Sequence, residues 1–157
     1  MAQTSADAPQ PSRFMVILRA IAGGLLGVVS GAALNMGILM GGARLMPPPA
    51  GVDVNDVATI NANIHKYSVL DLSVPFAAHA LGTLLGAFVA ASVAATPRSR
   101  GRAALFIGFL FLLLGIEAVR LIPDAPLWFD VVDLCGAYLP MAWIGHRLAT
   151  RRHARRS

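Results

Sequence analysis

The sequence predicts an all-α protein: a polytopic membrane four-helix bundle with a short amphipathic helix in its first outer loop. Three observations lead there. The 157 residues are 56% hydrophobic and only 13% charged, about half the charge of a soluble domain, and mean hydropathy is +0.64. Four long apolar runs follow one another. The arginines, finally, collect on one side of the arrangement that four spans would impose.

The runs cover residues 14–46, 74–95, 103–122 and about 127–148. A spanning helix needs about 20 mostly apolar residues. The second and third runs meet this without interruption. The first carries Arg19 and Arg44 near its ends, and its clean stretch from Ala20 to Ala43 is about 36 Å long as a helix. The fourth is the weakest, because Asp130 and Asp133 sit in its first turns. Backbone amides in lipid must be satisfied within the segment, so each run should be a helix. The first apolar stretch exceeds the roughly 7–15 residues of a signal h-region, which keeps it in the mature chain. Residues 1–12, polar and proline-containing, read as a disordered cytoplasmic tail. The spanning domain is then 13–148, and 149–157 is a basic cytoplasmic tail.

Ten of the thirteen basic residues (Arg13, Arg19, Arg98, Arg100, Arg102, Arg147, Arg151, Arg152, Arg155 and Arg156) lie on one side of a four-span chain. The positive-inside rule makes that side cytoplasmic and puts both termini there. Seven of the eight acidic residues fall on or near the other side. The sequence pI of 10.7 therefore needs no nucleic-acid partner; the basic tail fits anionic lipid heads instead.

The longest loop, PPPAGVDVNDVATINANIHKYSVLDLS, opens with three prolines that stop the first helix. Asn55 reads as a helix N-cap with Asp56 in the first turn. Val57, Ile60 and Ile64 recur at helical spacing, which gives the amphipathic helix at the outer face. Asp53, Asn55 and Asp56 lack the glycine and terminal glutamate of a calcium loop. ARLMP at 43–47 echoes VRLIP at 119–123; arginine complements a helix C-terminus and proline ends it.

Between spans, small residues set the contacts. The first helix has Gly23, Gly27 and Gly31, then Asn35, Gly37 and Gly41; the second has His79, Gly82, Gly86 and Ala90; the third has Gly101, Gly108 and Gly115. Such faces suit helix packing within the chain, a homo-oligomer, or a membrane-protein partner.

Polar side chains gather in the outer half of the spans. Glu117, in FLFLLLGIEAVRLIPD, is about 8 Å below the end of its run, and His79 is placed similarly below Val74. Asp133 is in the fourth run and Asn35 is deeper. Glu117 and Arg120, at i and i+3, are near enough to pair. As a ligand or proton site, His79 would titrate, Glu117 and Arg120 would form an ion pair, and Asp133 would add a second carboxylate. The competing reading is structural: shallow charges pair, snorkel and set helix register. Cys135 and Tyr138 read as packing and interface residues, Pro140 as a kink freeing the Gly136 carbonyl, and Trp128 and Trp143 as interface anchors.

Catalysis has little footing. Ser30 and His79 lack a nucleophile motif, and metal-ligand spacing and phosphate or dinucleotide fingerprints do not occur. No cofactor, no metal and no enzymatic activity are expected. PPPAGVDVND, PFAAHALGTLLGAFVAA and PLWFDVVDLCGAYLPMAWIG resemble stretches of a group of small, uncharacterised bacterial integral membrane proteins, over about residues 35 to 145. The resemblance implies a bacterial inner-membrane setting and carries no activity. Four spans also match the small multidrug exporters in size, but the first helix lacks their membrane-embedded glutamate and the arginine bias opposes dual topology. Two functions follow: a non-enzymatic bundle acting as a membrane accessory or assembly component, or a small transporter or ligand-binding protein with an outer-leaflet polar pocket.

Overall fold

Each helix of the computed structural model, which describes residues 12–155, starts and stops where local chemistry requires. The Met15 amide donates to Ser12 Oγ (3.3 Å) and opens α1, Arg13–Leu45. The expected tail at 1–12 otherwise lies outside the described residues. A short helix α2 (Val57–Asn63) continues into a 3-10 turn at Ile64–Lys66. Then come α3 (Val69–Val93), α4 (Pro97–Leu121), α5 (Leu127–Gly136) and α6 (Leu139–Ala154). No strand occurs among the described residues. Four segments (α1, α3, α4 and α5–α6 together) are long and apolar enough to cross a membrane.

Apolar runs and helices do not share boundaries. The second helix begins at Val69 rather than 74, because Ser68 and Asp71 form a capping box: the Asp71 amide donates to Ser68 Oγ (3.2 Å) and the Ser68 amide to Asp71 Oδ2 (2.8 Å). The third begins at Pro97 rather than 103, from a like box between Thr96 and Ser99, with proline at the position where its missing amide costs nothing. The arginines of PRSRGR are thus helical. Apolar runs mark what suits lipid; capping residues mark where the backbone ladder can end.

Asp56, not Asn55, caps α2, accepting from the Ala58 amide at 2.9 Å. Asn55 is occupied elsewhere, its backbone and side-chain amides both donating to Asp53 Oδ1. The expected short helix is present. Its Asn61 exchanges two hydrogen bonds with Asp124 in the α4–α5 connection, so α2 tethers one end of the bundle. The echoed motifs end α1 and α4 alike, Met46 bonding back to Gly42 and Ile122 to Ala118.

The largest difference from expectation is the fourth run, which is two helices. Pro140 has no amide to give the Gly136 carbonyl, and its ring would strike that carbonyl in a continuous helix. The chain therefore breaks at Ala137 and Tyr138 and restarts with Pro140 in the first turn of α6. This is a break rather than a kink. At the far end α6 runs helical to Ala154, so most of the expected basic tail is helix.

The central element is α3, packed against α1, α4 and α6. It can be central because its contact positions are small: Ala78, Ala80, Gly82, Gly86, Ala87, Ala90 and Ala91 are all buried. On one side Gly27 and Gly31 of α1 meet Gly86 and Gly82 with backbones touching; a Cβ at Gly27 would lie 2.7 Å from the Gly86 carbonyl oxygen, and one at Gly86 2.7 Å from that of Gly27. On another side, Gly145 of α6 abuts the backbone of Leu84 and Phe88. Gly37 and Gly41 touch nothing within 4 Å. The six-residue step from Gly31 to Gly37 rotates the helix by about 240°, off the contact stripe. At the arginine-rich end, Arg19 Nε donates to the Val93 carbonyl at 2.7 Å, closing the C-terminus of α3.

Candidate functional site

One buried polar cluster forms within the bundle, from three elements. His79 comes from the eleventh position of α3, near the middle of that helix. Asp133 comes from α5, where it is the one residue classed as buried. Tyr138 comes from the break itself. His79 Nδ1 lies 2.9 Å from both Asp133 carboxylate oxygens, and the Tyr138 hydroxyl donates to Asp133 Oδ2 at 2.9 Å. The His79 and Tyr138 rings stack with centroids 5.8 Å apart. Asp133 is 4% exposed, so those two partners replace the water its carboxylate has lost.

Glycines make room for this cluster. Tyr138 lies over Gly115 of α4, where any side chain would collide with the phenol ring. Gly136 faces Phe76 of α3. Of the apolar residues of α5, Leu127, Trp128, Val131 and Val132 are exposed, while Leu134 is half-buried against the core. Among the described residues, then, α5 is fastened by its buried carboxylate together with the Leu134 contact.

Of the residues expected at one site, the structure brings only His79 and Asp133 together. Glu117 and Arg120 do pair, but at 3.8 Å between side chains 58% and 76% exposed, away from the cluster. Asn35 packs half-buried against Gly82. His79 lies about 15 Å along its helix from Val69, because that helix starts five residues before the apolar run. Tyr138, read as a packing residue, is the missing member. Five residues after Asp133, it would point about 140° away in an unbroken helix. The proline two residues later was the one signal that it would not.

The chemistry available is that of an oriented imidazole. A carboxylate at Nδ1 fixes the ring and its tautomer, and Nε2 is left without a hydrogen bond among the described residues. The hydroxyls of Thr83 and Ser30 donate to backbone carbonyls of their own helices, Thr83 to His79 at 2.7 Å and Ser30 to Gly27 at 3.2 Å. No group of three metal-ligating side chains occurs among the described residues. Cys135 is exposed on α5. Comparison of the chain with family models, with curated proteins and with solved structures finds no match in any of the three.

The exposure of Glu117 and Arg120 sets an expectation. Both side chains lie in the last turns of α4; where headgroup water reaches them, such a pair contributes about 0–1 kcal/mol, so Arg120→Ala and Glu117→Gln should give nearly additive, small losses in a double-mutant cycle scored by thermal unfolding in nanodiscs. A coupling of several kcal/mol would instead show a pair held out of water.

Proposed function

We propose that the chain is a multi-pass protein of a bacterial inner membrane, with both termini cytoplasmic, acting as a non-enzymatic accessory or assembly component. One observation carries the membrane reading. The bundle is inside out: large apolar side chains such as Phe14, Leu25, Val29, Phe106, Phe109, Leu113 and Leu127 are exposed, while the interior is mainly alanine and glycine around Ile107. In water so large an apolar surface would drive association; in lipid it is the solvated face, and small residues supply the contacts. The arginine bias supports the orientation.

The polar groups support the structural role over the transporter one. His79 Nδ1 and Asp133 engage each other in a cluster that fastens α5 to α3, and Glu117, 58% exposed, pairs with Arg120 instead. The transporter or ligand-binding reading retains one observation, the 22% exposure of the His79 side chain with Nε2 open.

Reporter fusions test the topology. Fusions within residues 1–12, 97–102 and 149–157 should report the cytoplasm, and fusions within 50–70 the periplasm. Termini on opposite sides would overturn the four-span arrangement, most directly its broken fourth member. Mild-detergent extracts run on native gels test the role: migration within a larger membrane assembly is expected. Migration as a lone chain that carries solute flux in proteoliposomes would replace this reading with the transporter one.

A further inference from the structure

The arginine-rich end holds an unmatched charge. Arg13, Arg19, Arg98, Arg100, Arg102, Arg147, Arg151, Arg152 and Arg155 lie there, and among the described residues both ion pairs lie toward the other end. Two buried nitrogens at that end, Arg100 Nε and His146 Nδ1, have no hydrogen-bond partner. Buried polar atoms without a partner are rare and call for an explanation. The two are neighbours in the fold: the His146 ring of α6 lies over Gly101 of α4, 3.8 Å from where a Cβ would stand, and Arg100 precedes that glycine. Beside them a surface groove of about 530 Å³ is lined by Trp143, His146, Arg147, Thr150 and Arg151. The Arg147 guanidinium sits 3.9 Å above the Trp143 ring, which places a cation and an amphipathic aromatic together.

We propose that this groove on α6, with Arg100 of α4 beside it, binds the phosphodiester headgroup of an anionic phospholipid. Arg100, Arg147 and Arg151 supply the charge, and His146 adds a donor. Guanidinium forks match phosphate oxygens in geometry as well as sign. The occupant is a lipid rather than a free anion because Trp143, half exposed beneath the Arg147 guanidinium, sets apolar surface of the α6 span directly against the cations. The inference rests on the membrane reading above and goes beyond it, since general attraction to an anionic surface needs no particular arginine.

The test uses the full chain purified in a neutral detergent and offered equal amounts of phosphatidylglycerol and phosphatidylcholine, with bound lipid counted by native mass spectrometry. Phosphatidylglycerol should be preferred by about tenfold or more. Arg100→Gln and Arg151→Gln should each reduce that preference about fivefold, while Arg13→Gln, which removes an equal charge from α1, should leave it unchanged. Arg151 is exposed, so its variant keeps the test decisive if Arg100→Gln folds poorly. Equal losses from Arg13→Gln would overturn the site in favour of diffuse attraction. Equal binding of the two lipids would overturn it outright, as would displacement of the lipid by millimolar inorganic phosphate. Reporter fusions that hold while lipid preference is absent would remove this site alone; fusions that fail while the preference persists would remove only the orientation.

Discussion

Replacing His79 with leucine should destabilise the protein by about 3–5 kcal/mol, because it takes the ring partner away from a buried carboxylate. Asp133 would keep its carboxylate, 4% exposed, with only the Tyr138 hydroxyl to solvate it. Asp133→Leu should cost a comparable amount, because it orphans the Tyr138 hydroxyl and the His79 ring together. The double change His79→Leu with Asp133→Leu should lose clearly less than the sum, since no polar group of the pair remains to be desolvated. Tyr138→Phe, which deletes one hydrogen bond to a charged acceptor, should cost about 1.5–3 kcal/mol. Unfolding in nanodiscs or in mixed micelles titrated with a denaturing detergent measures all four. Strict additivity would show that the side chains do not interact in the membrane. A second readout is local. Cys135 is the single cysteine of the chain and lies on α5, so a spin label there should gain mobility in Asp133→Leu while the other helices stay folded. Unchanged mobility would mean that α5 is held by something other than its carboxylate.

A bulkier residue at the α1–α3 crossing should be as damaging. Gly86→Val is expected to destabilise by about 3 kcal/mol, the upper part of the usual overpacking range, because the obstacle is backbone. Its Cβ would stand 2.7 Å from the Gly27 carbonyl oxygen and 3.1 Å from Ile107 Cγ2. A rotamer change relieves a clash with a side-chain end, but only separation of the helices relieves this one. Gly27→Val should behave the same way, for the reciprocal reason. Gly37→Ala is the control: nothing lies within 4 Å of its added Cβ, and alanine in place of a mid-helix glycine is worth about 0.5–1 kcal/mol in stability. The signs of the two substitutions should therefore be opposite in the same unfolding assay. Destabilisation by Gly37→Ala would point to a contact that a single chain does not contain, namely a second copy or a partner on the outer half of α1.

What the sequence determined by itself was whatever depends on local composition and spacing. Four apolar runs implied four helical segments long enough to span, because backbone groups in lipid have no other way to be satisfied; three of them are single helices. The spacing of four among Gly23, Gly27 and Gly31 marked the face of α1 that meets α3, since that spacing keeps residues on one side of a helix. The pairing of Glu117 with Arg120 followed from their i, i+3 separation. Tertiary structure decided which polar residues meet. In the sequence Glu117, His79 and Asp133 look alike, each an ionisable residue within an apolar run, yet helix rotation turns the first toward the surroundings and the other two toward each other. Tyr138 joined them only because Pro140 breaks the fourth run. That break changes the relative direction of every side chain on either side of it, a rotation that residue spacing measures only along an unbroken helix.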